Sequence, residues 1–179
     1  MTDDDTRHEH DTPAEPDARP GHDVASQRGT THVRSGAQTI SHRREFDAPA
    51  SRVQRAHTDP ALFPRWMGPR GTTVRLDRFE AVTGGAFRYS VVGGDGAAWT
   101  FFGSYHEVRD GLVTHTWQYE GETDVSLETL RFRDLAGGRS VLEVTSAFSS
   151  EAACEAMVAS GLDGGMDENF ARLDEVLAG

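Results

Sequence analysis

The sequence predicts an α+β domain: a strongly curved antiparallel sheet of seven strands, two short helices after the first strand, and one long C-terminal helix. Three observations carry this. From Thr72 to Phe148, runs rich in Val, Thr, Phe, Tyr and Trp alternate with Gly or Asp-Gly punctuation, the text of strands joined by tight turns. Ahead of them stand two short segments headed by prolines. After Ser150 the apolar residues recur at helical spacing. A chain of 179 residues, 36% apolar and with three tryptophans, holds enough apolar material for one core.

In chain order, Ile40, His42, Arg44 and Phe46 alternate with Thr39, Ser41, Arg43 and Glu45, so residues 39–46 read as the first, half-buried strand. Asp47-Ala48-Pro49 supplies an acid and a first-turn proline to a short helix with Val53 and Ala56 on one face. Asp59-Pro60 repeats the device, with Asp59 as N-cap of a second short helix through Leu62, Phe63 and Trp66. Six strands follow, near 72–79, 86–92, 98–108, 112–119, 125–133 and 139–148. Their connections are short enough for antiparallel neighbours. Ser149-Ser150 are N-cap candidates for the terminal helix, in which Met166, Phe170, Leu173 and Leu177 fall on one face. Gly161, Gly164 and Gly165 mark a kink or break in it, since each glycine costs about 1 kcal/mol in a helix. A curved sheet cannot fill its own concave side, so this layout leaves a hollow between sheet and helices.

Residues 1–37 carry almost no large apolar side chain beyond Val24 and Val33, and are expected to form a disordered acidic tail; the domain is placed at 38–179. The cluster Asp3-Asp4-Asp5, His8, Glu9, His10 and Asp11 reads as a solvated part of that tail, because no local structure fixes a ligand geometry. A formal charge of −11 argues against nucleic acid and anionic membrane surfaces as partners. With no signal-like N-terminus and no long apolar span, the expected location is cytoplasmic. The single Cys154 excludes an intramolecular disulfide framework and reads as a packing residue, and the lack of lysine excludes Schiff-base and P-loop chemistry. No cofactor is expected. Nor is a metal, because His57, His106 and His115 show no ligand spacing.

Several motifs in order bring a family into view. The run Arg44-Glu45-Phe46-Asp47-Ala48-Pro49, then Val53, Ala56, Thr58-Asp59-Pro60, Leu62, Trp66 and Gly68-Pro69, resembles the opening signature of the homologues of the heat-shock-protein-90 ATPase activator, C-terminal domain type. Gly84-Gly85-Ala86-Phe87, Gly103-Ser104-Tyr105-His106-Glu107-Val108, Thr116-Trp117, Gly161, Gly165-Met166, Arg172-Leu173-Asp174 and Leu177 resemble its later landmarks. The resemblance covers residues 38–179 and implies the START-like (SRPBCC) helix-grip fold, a cavity-bearing architecture whose members usually bind an apolar or aromatic small molecule. Some superfamily members are cyclases or hydrolases. The chain departs from the family pattern at Gln54, His57 and Met67, where aromatics are common, which leaves the pocket shape near the short helices open. Chaperone stimulation is implied by the family's name, but the eukaryotic activator has an additional N-terminal domain that an acidic tail does not replace.

Strand parity selects the candidate ligand-binding residues. Trp99, Phe101, Gly103 and Tyr105 share one face; Val113, His115, Trp117 and Tyr119 share the next; Phe87, Tyr89 and Val91 form a third. Met166 and Phe170 close the hollow from the helix, and Trp66 either anchors the core or stacks on the ligand. Glu128 shares parity with Leu130 and Phe132, which makes it a carboxylate inside the hollow unless a bulge turns it outward. His115 is a ligand hydrogen-bonding group or base, or else a histidine satisfied by a neighbouring strand. Arg44 and Arg88 meet a ligand carboxylate or pair at the surface. No nucleophile turn of the Gly-x-Ser-x-Gly kind occurs. The leading expectation is non-catalytic binding of a hydrophobic or aromatic small molecule. The alternatives are a cyclase- or hydrolase-like enzyme using the polar residues of the same cavity, and a chaperone-associated or other protein-interaction module, with a protein partner or a homodimer.

Overall fold

The computed structural model describes residues 30–160 and 162–179. Strand β1 (Thr31–Gly36) forms a hairpin with β2 (Thr39–Phe46), and helices α1 (Ala50–Thr58) and α2 (Phe63–Trp66) follow. Strands β3 (Thr73–Phe79), β4 (Ala86–Val92), β5 (Ala98–Arg109), β6 (Leu112–Tyr119), β7 (Ser126–Asp134) and β8 (Ser140–Phe148) come next, then α3 (Glu151–Ala159) and α4 (Leu162–Ala178). All pairings are antiparallel, in the order β1-β2-β8-β7-β6-β5-β4-β3, so β3 to β8 form a meander and the first hairpin adds to its last strand. This is the helix-grip fold.

Among the described residues the sheet therefore has eight strands rather than the seven expected. The additional one, β1, comes from a stretch read as tail, because Thr31–Gly36 has a single large apolar residue, Val33, and that residue is exposed. Its stability comes from pairing with β2, in which Ile40, His42 and Phe46 are buried, and from Arg34, which binds the carbonyl of Ala37 and the carboxylate of Glu151. The acidic and histidine-rich residues near the N-terminus, and Gly161, lie outside the described residues.

Helix boundaries follow capping chemistry, with three adjustments. Helix α1 begins after Pro49, and the carboxylate at its head is that of Asp134, which accepts from the Ala50 amide at 2.8 Å, in place of the expected Asp47. Asp59 ends α1 rather than capping α2. Its side chain accepts from the Ala61 amide at 2.8 Å and its carbonyl from the amides of Leu62 and Phe63, making the turn that leads into α2. The terminal helix is two helices, separated between Ala159 and Leu162; Gly164 and Gly165, expected at a kink or break, lie within α4 instead. Ser150 caps α3 by accepting from the Ala153 amide at 3.0 Å, as its position predicts.

One core joins sheet and helices. Leu173 is fully buried and Leu177 nearly so; they pack in the same cluster as Phe46, Val53, Leu142 and Val144. Phe170 meets Phe46 edge to face, with ring centroids 5.8 Å apart. Arg172 fastens α4 to the end of α2 by donating to the carbonyls of Arg65, Met67 and Gly68. Arg44 pairs with Asp174 at 2.6 Å, and Arg88 with Asp77 and Glu120, so both strand arginines serve structural ion pairs. Cys154 is fully buried in α3.

Candidate ligand-binding cavity

On the concave face, alternation turns every second residue inward: Phe87, Tyr89 and Val91 from β4, Trp99, Phe101 and Tyr105 from β5, and Val113, His115 and Trp117 from β6. Glu128 and Leu130 from β7, Leu142, Val144, Ser146 and Phe148 from β8, and His42 from β2 continue the wall. Together with the short helices and the start of α4 they enclose a cavity of about 500 Å³. It persists because α4 contributes Gly165, Met166, Asn169 and Phe170 here, whereas its larger buried residues, Leu173 and Leu177, fill the core further along. Among the described lining residues, only Pro69, Trp99 and Gly165 are exposed, and they mark the mouth.

The wall is a continuous set of rings. Trp117 stacks on Phe101 with centroids 4.8 Å apart, Phe101 meets Tyr89 at 5.4 Å, and Phe87 touches both Tyr105 and His115, at 5.5 and 5.4 Å. Gly103 faces inward between them because a side chain would not fit: a Cβ there would stand 1.8 Å from the Thr116 carbonyl oxygen and 2.7 Å from Phe87 Cζ.

Polar groups are few and mostly satisfied within the wall. Glu128 accepts from the hydroxyls of Ser126 and Ser146, both at 2.7 Å, one on each carboxylate oxygen. Directly across the strand pair stands His115. Its Nδ1 donates to the Thr116 carbonyl at 3.1 Å, which leaves the Nε2 lone pair as the other ring position. Burial pushes the His115 pKa down against the opposing pull of Glu128. His57 is held similarly, with Nδ1 donating to the Val53 carbonyl at 2.8 Å and its ring against Trp66 and Phe132; burial lowers its pKa to about 4. Trp117 Nε1 donates to the Tyr89 hydroxyl, and burial raises the Tyr89 pKa to about 12. The Tyr105 hydroxyl is pushed upward by the same cause.

Of the residues selected from the sequence, Trp66, Phe87, Tyr89, Phe101, Tyr105, His115, Trp117, Glu128, Met166 and Phe170 line the cavity. Tyr119 does not. Although it shares the parity of Trp117, it lies one step further along β6 and packs on the Phe101 ring at 5.5 Å, beyond the cavity's end. Trp66 anchors the core, being buried and donating from Nε1 to the Ala56 carbonyl at 2.9 Å, and it also lines the hollow. Sequence reasoning passed over His42, His57, Ser146 and Asn169 as wall residues, and Ser126 as the second hydroxyl on Glu128. For His42, Ser126 and Ser146 the signal was parity with Ile40, Glu128 and Val144; His57 and Asn169 depend on how the helices pack. His42, His57 and His115 share the wall, but no group of three metal-ligating side chains occurs among the described residues.

The family model described as "Activator of Hsp90 ATPase homolog 1-like protein" matches residues 47–178. No curated protein matches the chain. Among solved structures, a Rhodobacter sphaeroides protein is 26% identical, with 84% of this chain and 98% of that one covered and a TM-score of 0.79. A solution structure from Arthrobacter aurescens is 24% identical, covers 83% of this chain and 91% of its own, and has a TM-score of 0.75. One from Staphylococcus epidermidis, 22% identical over 82% and 93% of the two chains, has a TM-score of 0.72.

Proposed function

The chain belongs to the activator of Hsp90 ATPase homologue 1-like family, and on that premise we propose that it binds a hydrophobic or aromatic small molecule in the cavity between sheet and helices, without converting it. Members of the family bind small hydrophobic ligands or proteins. The observation that carries the small-molecule reading is the cavity of about 500 Å³ walled by Phe87, Tyr89, Phe101, Tyr105, Trp117 and Phe170. That volume lies within the usual range for small-molecule sites, and an aromatic wall with few polar groups is their usual chemistry.

A cyclase- or hydrolase-like role would fall to His115 and Glu128. Both carboxylate oxygens of Glu128 are taken up by serine hydroxyls, and His115 spends Nδ1 on a backbone carbonyl. Such a pair suits anchoring better than shuttling protons, because a proton donor or acceptor in turnover has to exchange partners. An interaction module would present a broad apolar surface, whereas of the exposed large apolar residues described, Val33 lies on β1, Val82 between β3 and β4, Trp99 on β5 and Val158 on α3, and only Val125 and Leu127 are sequence neighbours, at the start of β7.

Calorimetry of the full chain against flavone, a naphthyl alcohol and a medium-chain fatty alcohol tests the reading. At least one of these binds saturably at one site, and Val144→Trp, which fills the hollow, abolishes that binding while the protein stays folded by circular dichroism. No saturable binding by any of the three, or binding that survives Val144→Trp unchanged, overturns it.

A further inference from the structure

The cavity's charge specifies more than hydrophobicity. Its described lining holds one acidic side chain, Glu128, and no arginine; the sequence has no lysine to add. The carboxylate is a built feature: two buried serine hydroxyls, from Ser126 and Ser146, hold its two oxygens at 2.7 Å and fix its orientation. The hydroxyls of Ser126 and Ser146 and the indoles of Trp66 and Trp117 are donors already committed, the indoles to the Ala56 carbonyl and the Tyr89 hydroxyl. Acceptors remain. His115 and His57 each donate through Nδ1 to a backbone carbonyl and so keep an Nε2 lone pair. Asn169 Oδ1 is buried at the wall without a hydrogen-bond partner. The hydroxyls of Tyr89 and Tyr105 can act in either sense. A guest that brings donors and positive charge satisfies this inventory; one that brings a carboxylate meets Glu128 with no cation to balance it.

The rings strengthen the same preference. His115, opposite Glu128 on the neighbouring strand, is ringed by Phe87 and Tyr105, at 5.4 and 5.6 Å between centroids. Beside them run Tyr89, Phe101 and Trp117. A carboxylate set into a wall of aromatic rings is the environment in which an ammonium group is held, by its counter-charge and by ring faces that attract cations.

We propose that the ligand is an aromatic or otherwise apolar molecule bearing a protonated amine, with the ammonium held by Glu128 and the rings around it and the apolar body filling the hollow towards α4. The proposal rests on the cavity being a ligand site and adds the chemical class.

Three probes sharing one skeleton separate the two claims: 2-naphthylmethylamine, 2-naphthalenemethanol and 2-naphthoate, titrated into the full chain at pH 7 by calorimetry. The amine binds at least tenfold tighter than the alcohol, and the carboxylate binds most weakly. Glu128→Gln brings the amine to within about threefold of the alcohol. Equal binding of amine and alcohol, or tightest binding of the naphthoate, overturns the amine assignment and leaves the cavity reading standing; binding by none of the three overturns both. The ranking on the unaltered protein does not depend on the variant, and a melting curve checks that Glu128→Gln is folded.

Discussion

Lowering the pH towards 5 should destabilise this protein through a histidine far from its surface charges. His57 sits between Trp66 and Phe132, and burial lowers its pKa from 6.5 to about 4, with the repulsion of His115 adding a smaller push in the same direction. Between those values the unfolded chain binds a proton at this ring and the folded chain does not, so stability rises with pH across the window and is lost as pH falls through it. Each tenfold difference in proton affinity corresponds to about 1.4 kcal/mol, so the gap amounts to about 3 kcal/mol in full, and about 2 kcal/mol of it falls between pH 7 and pH 5. The perturbation is His57→Asn, whose amide nitrogen can take over the bond to the Val53 carbonyl without titrating. Urea unfolding of both proteins at half-unit intervals from pH 7 to 5 gives the comparison. The exposed carboxylates and His115 remain in both chains, so the difference between the curves isolates His57. The wild type should lose about 2 kcal/mol more than the variant; parallel curves would refute the reasoning.

Two further outcomes follow from the geometry. Gly103→Ala places a methyl group against the Thr116 backbone oxygen and Phe87 Cζ, where neither can yield freely; it should cost at least the ~1–3 kcal/mol typical of overpacking, read from the urea midpoint at constant slope. Ser150→Ala removes the acceptor for the Ala153 amide and should lower stability by about 1 kcal/mol, with faster amide exchange confined to α3.

Much of the fold and wall was legible because a strand's period is two. Phe87, Tyr89, Phe101, Tyr105, Trp117 and Glu128 face the cavity as their parity predicts, since the sheet is buried on one side and register is therefore strongly constrained. Strand β1 was not legible, because Thr31–Gly36 has no apolar pattern and is held by pairing with β2 and by Arg34 contacts with distant groups. Tyr119 shows the limit of parity itself: facing the right way says nothing about how far along the strand the hollow extends. The carboxylate at the head of α1 belongs to Asp134, many residues away, and capping rules that look only at neighbours select Asp47 instead. His57 and Asn169 reach the cavity through the packing of α1 and α4, which no local period encodes.

The chain's three tryptophans, Trp66, Trp99 and Trp117, all lie on the cavity wall. Their surroundings differ: Trp66 is buried with its indole nitrogen bonded to a carbonyl, Trp117 is stacked on Phe101, and Trp99 is 45% exposed at the mouth. The protein's ultraviolet fluorescence thus comes from the lining of the hollow, with the water-facing indole contributing its red edge. Occupancy can be followed by emission alone, without an attached dye, and single Trp→Phe replacements would report separately from the entrance, the sheet and the helix side.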